Sequence, residues 1–143
     1  RLNTDPEVSF EYSGPQEAMV LADEFLIEEV VLNYLTNAIN HVKGEKLISI
    51  KIKEEKGQYY LSVFNSGNHL AEEDKERIWD SFYKVDKSRS RAYGGNGLGL
   101  AVVKAIMERH GAEYGVDNVP GGVQFWIKLP AEKTSSENLK NYG

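Results

Sequence analysis

The sequence predicts one α/β domain, in which helices cover one face of a mixed, largely antiparallel sheet. Three observations lead to this expectation. Five short segments alternate apolar and polar residues as strands do, two longer segments repeat apolar residues at helical spacing, and turns containing glycine separate neighbouring strands. A chain of 143 residues is long enough for one domain with its own core.

The predicted strands cover residues 7–12, 47–54, 59–65, 113–118 and 122–129. Lys56-Gly57 separates the second strand from the third, so these two are expected to form a hairpin. The fourth and fifth strands flank a turn at Pro120-Gly121-Gly122.

A long helix is expected to start at a cap on Asp23 and to run to about Val42. A short helix is predicted over 72–80 and a third over 97–109, ending at His110-Gly111. Residues 84–95 are expected to form a mobile loop, and 134–143 a frayed tail. The predicted apolar side of the long helix is Phe25, Ile27, Val30, Val31, Leu35 and Ile39.

Composition excludes several classes of function. The chain has no cysteine, so disulfides and thiolate metal sites play no part. Its formal charge of -5 argues against general nucleic-acid binding, which usually needs a basic face. No apolar run approaches the ~20 residues of a membrane span, so the anchor of any membrane-bound parent is expected outside this chain.

The first candidate block, residues 33–38, lies on the long helix. Asn33 and Asn37 are four residues apart, so both amides project from one helix face beside apolar neighbours. A hydrated magnesium ion bridging phosphates would supply the partners that these amides need, because magnesium prefers oxygen ligands. By itself, the block also fits a pair of surface asparagines.

The second block, Asn65-Ser66-Gly67, ends a predicted strand. Gly67 lets the backbone turn sharply and lets a flat ring approach closely. The side-chain oxygen of Asn65 is suited to accept a hydrogen bond from an adenine amino group. An ordinary turn at the end of a strand is the alternative.

The third block covers 79–84 and continues into the basic segment 85–91. Its cations could lie over a triphosphate as a lid, although a charged loop is usually only solvated. These cations are Lys84, Lys87, Arg89 and Arg91.

The fourth block, residues 94–100, is a glycine-rich run that opens directly into a helix. Unpaired backbone N–H groups and the helix dipole favour an anion there, and glycines let phosphates reach the backbone. It is not a Walker loop, because no Gly-Lys-Ser/Thr follows. It is not a Rossmann turn either, because a polar loop precedes it.

From about residue 8 to 130, the four blocks in this order resemble the N, G1, F and G2 boxes of the ATP-binding domain of sensor histidine kinases. That family is grouped with gyrase-type topoisomerases, heat-shock chaperones and mismatch-repair ATPases. The resemblance implies a two-layer α/β sandwich with ATP held between helices and a flexible lid. It places the domain in 1–133 and a tail in 134–143.

The resemblance also implies roles for particular residues. Asn37, assisted by Asn33, would hold magnesium; Asn65 would face the adenine amino group; Lys84 would reach the γ-phosphate. Lys84 and Asn33 are thus the expected catalytic residues. The residues expected to bind ATP are Asn33, Asn37, Asn40, His41, Asn65, Gly67, Tyr83, Lys84, Lys87, Gly95, Asn96, Gly97, Leu98, Gly99 and Leu100.

Three departures from the family pattern bear on affinity and rate. Asn65 stands where aspartate is usual, and His69 replaces the second glycine of that box. Asn40 stands where many kinases have a lysine or arginine directed at the phosphates, and His41 or Lys43 is the candidate to compensate.

The implied function is transfer of the ATP γ-phosphate to a histidine on a separate dimerisation domain, the first step of two-component signalling. The implied partners are that domain and a response regulator, within a homodimeric parent that is anchored in the bacterial membrane and exposes this domain to the cytoplasm. His41, His69 and His110 are not expected to be the acceptor. Neither nucleic acid nor membrane contact is expected.

Three alternatives remain: a non-catalytic nucleotide-binding module, a serine/threonine kinase that acts on an anti-sigma antagonist, and an ATPase of the chaperone or gyrase type. The ATPase reading is disfavoured because Asn33 occupies the position of the glutamate that activates water in those relatives.

Overall fold

The structure of the chain, a computed structural model, describes residues 5–81, 83 and 99–132. The predicted loop at 84–95, the first two residues of the helix predicted at 97–109, and the tail at 134–143 lie outside these residues. Within them, the elements are β1 (Ser9–Ser13), α1 (Glu24–His41), β2 (Leu47–Glu55), β3 (Gln58–Ser66), α2 (Asp74–Arg77), α3 (Gly99–Arg109), β4 (Tyr114–Val119) and β5 (Gly122–Pro130).

The strands described form one five-stranded sheet in the order β1-β2-β3-β5-β4. The β1–β2 pair is parallel, with Ser9 opposite Leu47, and the other three pairs are antiparallel. A parallel pair needs a crossover connection, and α1 is that crossover. The long β3–β5 pair, from Gln58–Pro130 to Ser66–Gly122, joins the two hairpins in the centre of the sheet. The predicted mixed, largely antiparallel sheet is confirmed.

Turn chemistry sets the register of both hairpins. Lys56 and Gly57 have φ values of 51° and 78°, and a two-residue type I′ turn requires positive φ at both positions. In the other hairpin, Pro120 precedes Gly121 with φ 86°, the pattern of a type II turn. Gly122 pairs with Val119 and is both the last residue of this turn and the first residue of β5, where the fifth strand was predicted to begin.

Helix α1 begins as predicted, since the Asp23 side chain accepts a hydrogen bond from the Leu26 N–H at 3.1 Å. The predicted apolar side was partly wrong. Phe25 is 77% exposed, whereas the fully buried stripe is Val30, Tyr34 and Ala38. These three residues are spaced by four along one face, and Phe25 points about 140° away from Val30. Tyr34 tolerates burial because its hydroxyl donates to the Trp126 carbonyl at 3.1 Å.

The core lies between the helices and one face of the sheet. Trp79 packs edge-on against Phe125 and Tyr114, with ring centroids 5.8 and 4.9 Å away. The helix predicted over 72–80 is shorter in the structure, where α2 covers Asp74–Arg77, and Ile78 and Trp79 directly after it are buried in the core. The buried apolar residues are Val30, Tyr34, Ala38, Ile48, Val63, Ile78, Trp79, Val103, Ile106, Met107, Val123, Phe125, Ile127 and Leu129.

The opposite face of the sheet carries amphipathic side chains instead of helices. The rings of Tyr60 and Trp126 stack with their centroids 5.8 Å apart. The Lys53 amine lies 5.3 Å from the centroid of Tyr60, and the Lys128 amine lies 5.6 Å from the centroid of Trp126. Helices therefore cover one face of the sheet in the described residues, as predicted. No helix among these residues is long and apolar enough to span a bilayer.

Candidate nucleotide-binding site

The site is organised by the asparagine side of α1. Asn33, Asn37 and Asn40 are half-buried and share one side of this helix. A Cβ added to Gly99 would lie 3.0 Å from the Oδ1 of Asn33, so the start of α3 passes directly against this side. The first and fourth blocks of the sequence, 66 residues apart, therefore meet in space.

Asn33 differs in one respect from the sequence-based interpretation. Its Nδ2 donates to the Glu29 carbonyl of its own helix at 2.7 Å, so this amide does not need an outside partner for its N–H group. Asparagine side chains can bond a backbone carbonyl four residues earlier in this way. The bond orients the amide and leaves Oδ1 as the atom next to Gly99.

The carboxyl end of α1 meets the second block. Gly67 has a φ of 144°, and a Cβ there would lie 3.1 Å from the His41 carbonyl oxygen. Ser66 holds the two segments together, since its carbonyl accepts from the Lys43 N–H at 2.9 Å and its hydroxyl donates to the Lys43 carbonyl at 2.7 Å. The same hydroxyl accepts from the Leu47 N–H at 2.9 Å. The close approach that requires a glycine here is the approach to α1.

Asn65 is a buried polar residue on the core side of β3. It is 1% exposed, and its neighbours across the sheet are Ile48 and Val123. Its Nδ2 donates to the Ser66 carbonyl at 3.1 Å, which assigns the other amide atom as oxygen. That oxygen, Oδ1, has no hydrogen-bond partner among the described residues. A buried acceptor without a partner costs about 1–3 kcal/mol, so this atom marks a place where a donor would bind favourably.

The loop after β3 is fastened to the β4–β5 hairpin. The His69 Nε2 lies 2.8 Å from the Val119 carbonyl oxygen. Asn118 clamps Leu70 from both sides, accepting from its N–H and donating to its carbonyl, each at 2.9 Å. His69, which replaces the second glycine of this block, therefore holds the loop against the hairpin. Asn118 was not among the residues predicted from the sequence. Its position before a Pro-Gly turn suggests nothing beyond turn propensity.

The third block is anchored by Trp79 in the core. Four residues later, Tyr83 is half-buried and its hydroxyl donates to the Asp74 carboxylate. This hydrogen bond to the carboxylate raises the pKa of Tyr83 above the ordinary value, with burial a smaller contribution. Leu100 is half-buried against the core. The remaining candidates lie outside the described residues: Lys84, Lys87, Gly95, Asn96, Gly97 and Leu98.

Two histidines lie at helix ends. His41 is half-buried in the last turn of α1, beside Gly67. The His110 Nε2 accepts from the Asp23 N–H at 3.1 Å, which leaves Nδ1 to donate to the Ile106 carbonyl at 2.9 Å. His110 therefore links the end of α3 to the start of α1, a structural role.

The side chains described here do not form a carboxylate or histidine metal centre. Over 5–81, 83 and 99–132, no three His, Asp or Glu side chains come together as metal ligands. The side-chain oxygen that lies beside the start of α3 is the amide oxygen of Asn33, and amide oxygens can bind hard cations.

Comparisons with known proteins agree with this arrangement. Residues 22–133 match the family described as histidine kinase-, DNA gyrase B-, and HSP90-like ATPase. The chain is 38% identical over 116 residues to the sensor protein IrlS of Burkholderia pseudomallei, covering 80% of this chain and 25% of IrlS. It is 37% identical over 130 residues to the sensor-like histidine kinase SenX3 of Mycobacterium tuberculosis, covering 90% of this chain and 31% of SenX3. The chain thus spans about a quarter to a third of these curated relatives.

Among solved structures, the catalytic domain of histidine kinase ThkA is 31% identical with a TM-score of 0.74, covering 87% of this chain and 79% of that one. The chain therefore belongs to the family of histidine kinase-, DNA gyrase B- and HSP90-like ATPases. Within this family it is an ATP-binding catalytic domain of the sensor histidine kinase type, as the order of the four blocks predicted.

The Asn118 clamp leads to a testable expectation. Asn118→Ala should lower the free energy of unfolding by about 1–3 kcal/mol, because it leaves the Leu70 N–H and carbonyl without their partners. Amide exchange at Leu70 should become faster. Asp117→Ala, a change at the exposed neighbouring residue, should alter stability by less than about 0.5 kcal/mol. Equal exchange at Leu70 in both variants would contradict the clamp.

Proposed function

We propose that this chain binds ATP with magnesium between α1, the end of β3 and the start of α3, and that it donates the γ-phosphate to a histidine on a separate helical domain. One observation carries the proposal. Helix α1 contacts the second and fourth blocks: the His41 carbonyl oxygen lies beside Gly67, and the Asn33 side-chain oxygen lies beside Gly99. These contacts bring the amide side of α1 next to the start of α3 and bring the end of α1 next to the end of β3, which supports a shared site.

The adenine end of this space is proposed to be at Asn65. Its unpaired Oδ1 fits the exocyclic amino group of adenine, which is a donor. A neutral amide is also less costly than a carboxylate at a position that is 1% exposed. The departure from aspartate therefore retains the acceptor and removes the charge.

The phosphate end is proposed to lie between Asn33, Asn37 and the start of α3. Bound magnesium would neutralise phosphate charge there, held by the amide oxygens of Asn37 and Asn33. The bond from Asn33 to Glu29 supports this, because it leaves an oxygen facing Gly99. Glycine at 99 removes the Cβ that would otherwise crowd this oxygen.

Other contacts to ATP are proposed from the resemblance. The residues with this proposed role are Asn40, His41, Gly67, Tyr83, Lys84, Lys87, Gly95, Asn96, Gly97, Leu98 and Leu100. Lys84, which would reach the γ-phosphate, is the proposed cation of the transfer step. Stabilising charge on the phosphoryl oxygens is the main work in such reactions.

Transfer is favoured over hydrolysis by the chemistry of Asn33. An amide cannot take a proton from water at neutral pH, and a general base typically contributes about 10²–10⁴-fold. An acceptor imidazole is itself a nucleophile, so transfer to histidine does not need that base.

The partners follow from the relatives. Full-length ShkA has been solved with AMPPNP, and ThkA with the response regulator protein TrrA. We extend both to this chain: residues 1–133 bind the nucleotide, and the longer protein passes its phosphate to a response regulator. From the resemblance to sensor histidine kinases, we further propose that the longer protein is a homodimeric membrane sensor that exposes this domain to the cytoplasm.

Nucleotide selectivity tests the adenine contact. The chain should prefer ATP to inosine triphosphate, which lacks the amino group, by roughly 10–100-fold. Asn65→Leu should lower ATP affinity and abolish this preference, while leaving the free protein equally or more stable because an unpaired buried acceptor is gone. Asn68→Ala, at an exposed residue of the same loop, is the control. Calorimetry that shows unchanged selectivity in Asn65→Leu would remove Asn65 from the base site.

Magnesium dependence tests the amide face. Asn37→Ala should weaken ATP binding at least about tenfold when magnesium is present, and much less in EDTA. Thr36→Ala, on the exposed side of the same helical turn, should bind as the unaltered chain does. An equal loss with and without magnesium would mean that Asn37 supports the fold and does not hold the metal.

Phosphate transfer tests the function itself. Incubated with radiolabelled ATP, the chain alone should remain unlabelled and release little phosphate, since Asn33 supplies no base. Addition of the dimeric histidine-bearing domain of the same parent should produce acid-labile phosphohistidine on that domain. Vigorous hydrolysis by the chain alone would favour the ATPase alternative. ATP binding without any transfer would favour the non-catalytic module.

A further inference from the structure

A second surface lies on the side of α1 away from the asparagines. There α1 and the preceding segment, residues 18–22, enclose an open groove of about 540 Å³, which we call the α1 groove. Its apolar lining includes Met19, Val20, Ile27, Val31, Leu32 and Leu35. Asn33 is two residues from both Val31 and Leu35, which places it about 160° away around the helix. The α1 groove is therefore separate from the proposed nucleotide site.

Both walls of the α1 groove are firmly held. The α1 wall is fixed by the buried stripe of that helix. The other wall is fixed to the end of β5: the Leu21 N–H donates to the Pro130 carbonyl at 3.0 Å, and the Met19 carbonyl accepts from the Glu132 N–H at 2.8 Å. Val20 and Ala131 form a β-bridge between these bonds. The groove is thus part of the fold.

The rim exposes large apolar side chains to solvent. Met19 is 58% exposed and Leu32 is 42% exposed. Phe25, at 77%, is seven residues before Leu32 and so lies on the same side of α1, two turns away. Single exposed apolar residues are common, but a contiguous apolar groove with such a rim is typical of an interaction surface.

The charged residues that line the α1 groove are acidic. They are Glu24 and Glu28. The stretch that forms both walls, residues 18–41, contains no lysine or arginine and four acidic residues, which are Asp23, Glu24, Glu28 and Glu29. Such a stretch attracts cationic partners and repels anionic membranes.

The lining of the α1 groove favours one form of partner. Apolar side chains of α1 and of residues 18–22 form the floor, so recognition relies on side chains that enter this floor. A helix laid into a groove makes this kind of contact, with apolar anchors spaced three and four residues apart.

We propose that the α1 groove docks an amphipathic helix of a partner protein. The apolar stripe of that helix fills the groove, and lysine or arginine residues beside the stripe pair with Glu24 and Glu28. This surface goes beyond the proposed nucleotide chemistry and does not depend on it.

The test uses the whole chain and a helical peptide of about 18 residues, with leucines at positions i, i+3, i+4 and i+7 and lysines beside them. A peptide with glutamates in place of the lysines is the matched probe. Fluorescence anisotropy should give a Kd of about 1–100 μM for the lysine peptide and at least tenfold weaker binding for the glutamate peptide. Glu24→Gln combined with Glu28→Gln should reduce this discrimination.

Leu32→Glu should weaken binding of the lysine peptide at least about tenfold, while Val102→Glu, at an exposed apolar residue of α3, should not. Both variants should keep the ATP affinity of the unaltered chain, which separates this result from any failure of the nucleotide site. No binding of the lysine peptide, or equal binding by Leu32→Glu, would overturn the proposal. The proposal would also be overturned if sedimentation showed a dimer that Leu32→Glu converts to monomers, or if the chain bound anionic vesicles.

Discussion

The packing of α1 on the sheet is the constraint on which the rest of the structure depends. Val30, Tyr34 and Ala38 bury one side of this helix, and the Tyr34 hydroxyl bonds to the backbone of β5. Because α1 is also the crossover between β1 and β2, its position fixes the one parallel pair in the sheet. A rotation of the helix would unpair a buried hydroxyl and displace the asparagine side at the same time.

With one side packed on the sheet, α1 has two further sides, and these differ in chemistry. One carries Asn33, Asn37 and Asn40 towards the start of α3. The other carries Val31, Leu32 and Leu35 into an acidic, apolar groove. The helical period keeps the two surfaces apart, so polar chemistry and apolar docking can be changed independently by substitutions on a single element.

The unpaired oxygen of Asn65 is a buried polar group that the fold retains at a cost in stability. Its side chain lies between strands β2 and β5, among apolar neighbours, and only its N–H group is bonded. An unpaired buried acceptor lowers stability by about 1–3 kcal/mol, which is more than a typical hydrogen bond contributes. A ligand that donates to this atom removes that cost, which strengthens binding without any rearrangement of the sheet.

By itself, the sequence determined the strands, the hairpin turns, the Asp23 cap and the identity of the four blocks, because alternation, positive-φ glycines and capping are local properties. The order of the blocks was sufficient to indicate the family. Only the tertiary structure decided that Phe25 is exposed and Tyr34 buried, since both are aromatic and the difference depends on which side of α1 meets the sheet. Likewise, the Asn118 clamp on Leu70 and the contact between Asn33 and Gly99 join residues 48 and 66 positions apart. No local pattern predicts such pairs, because only the packing of the sheet and helices brings residues so far apart in sequence into contact.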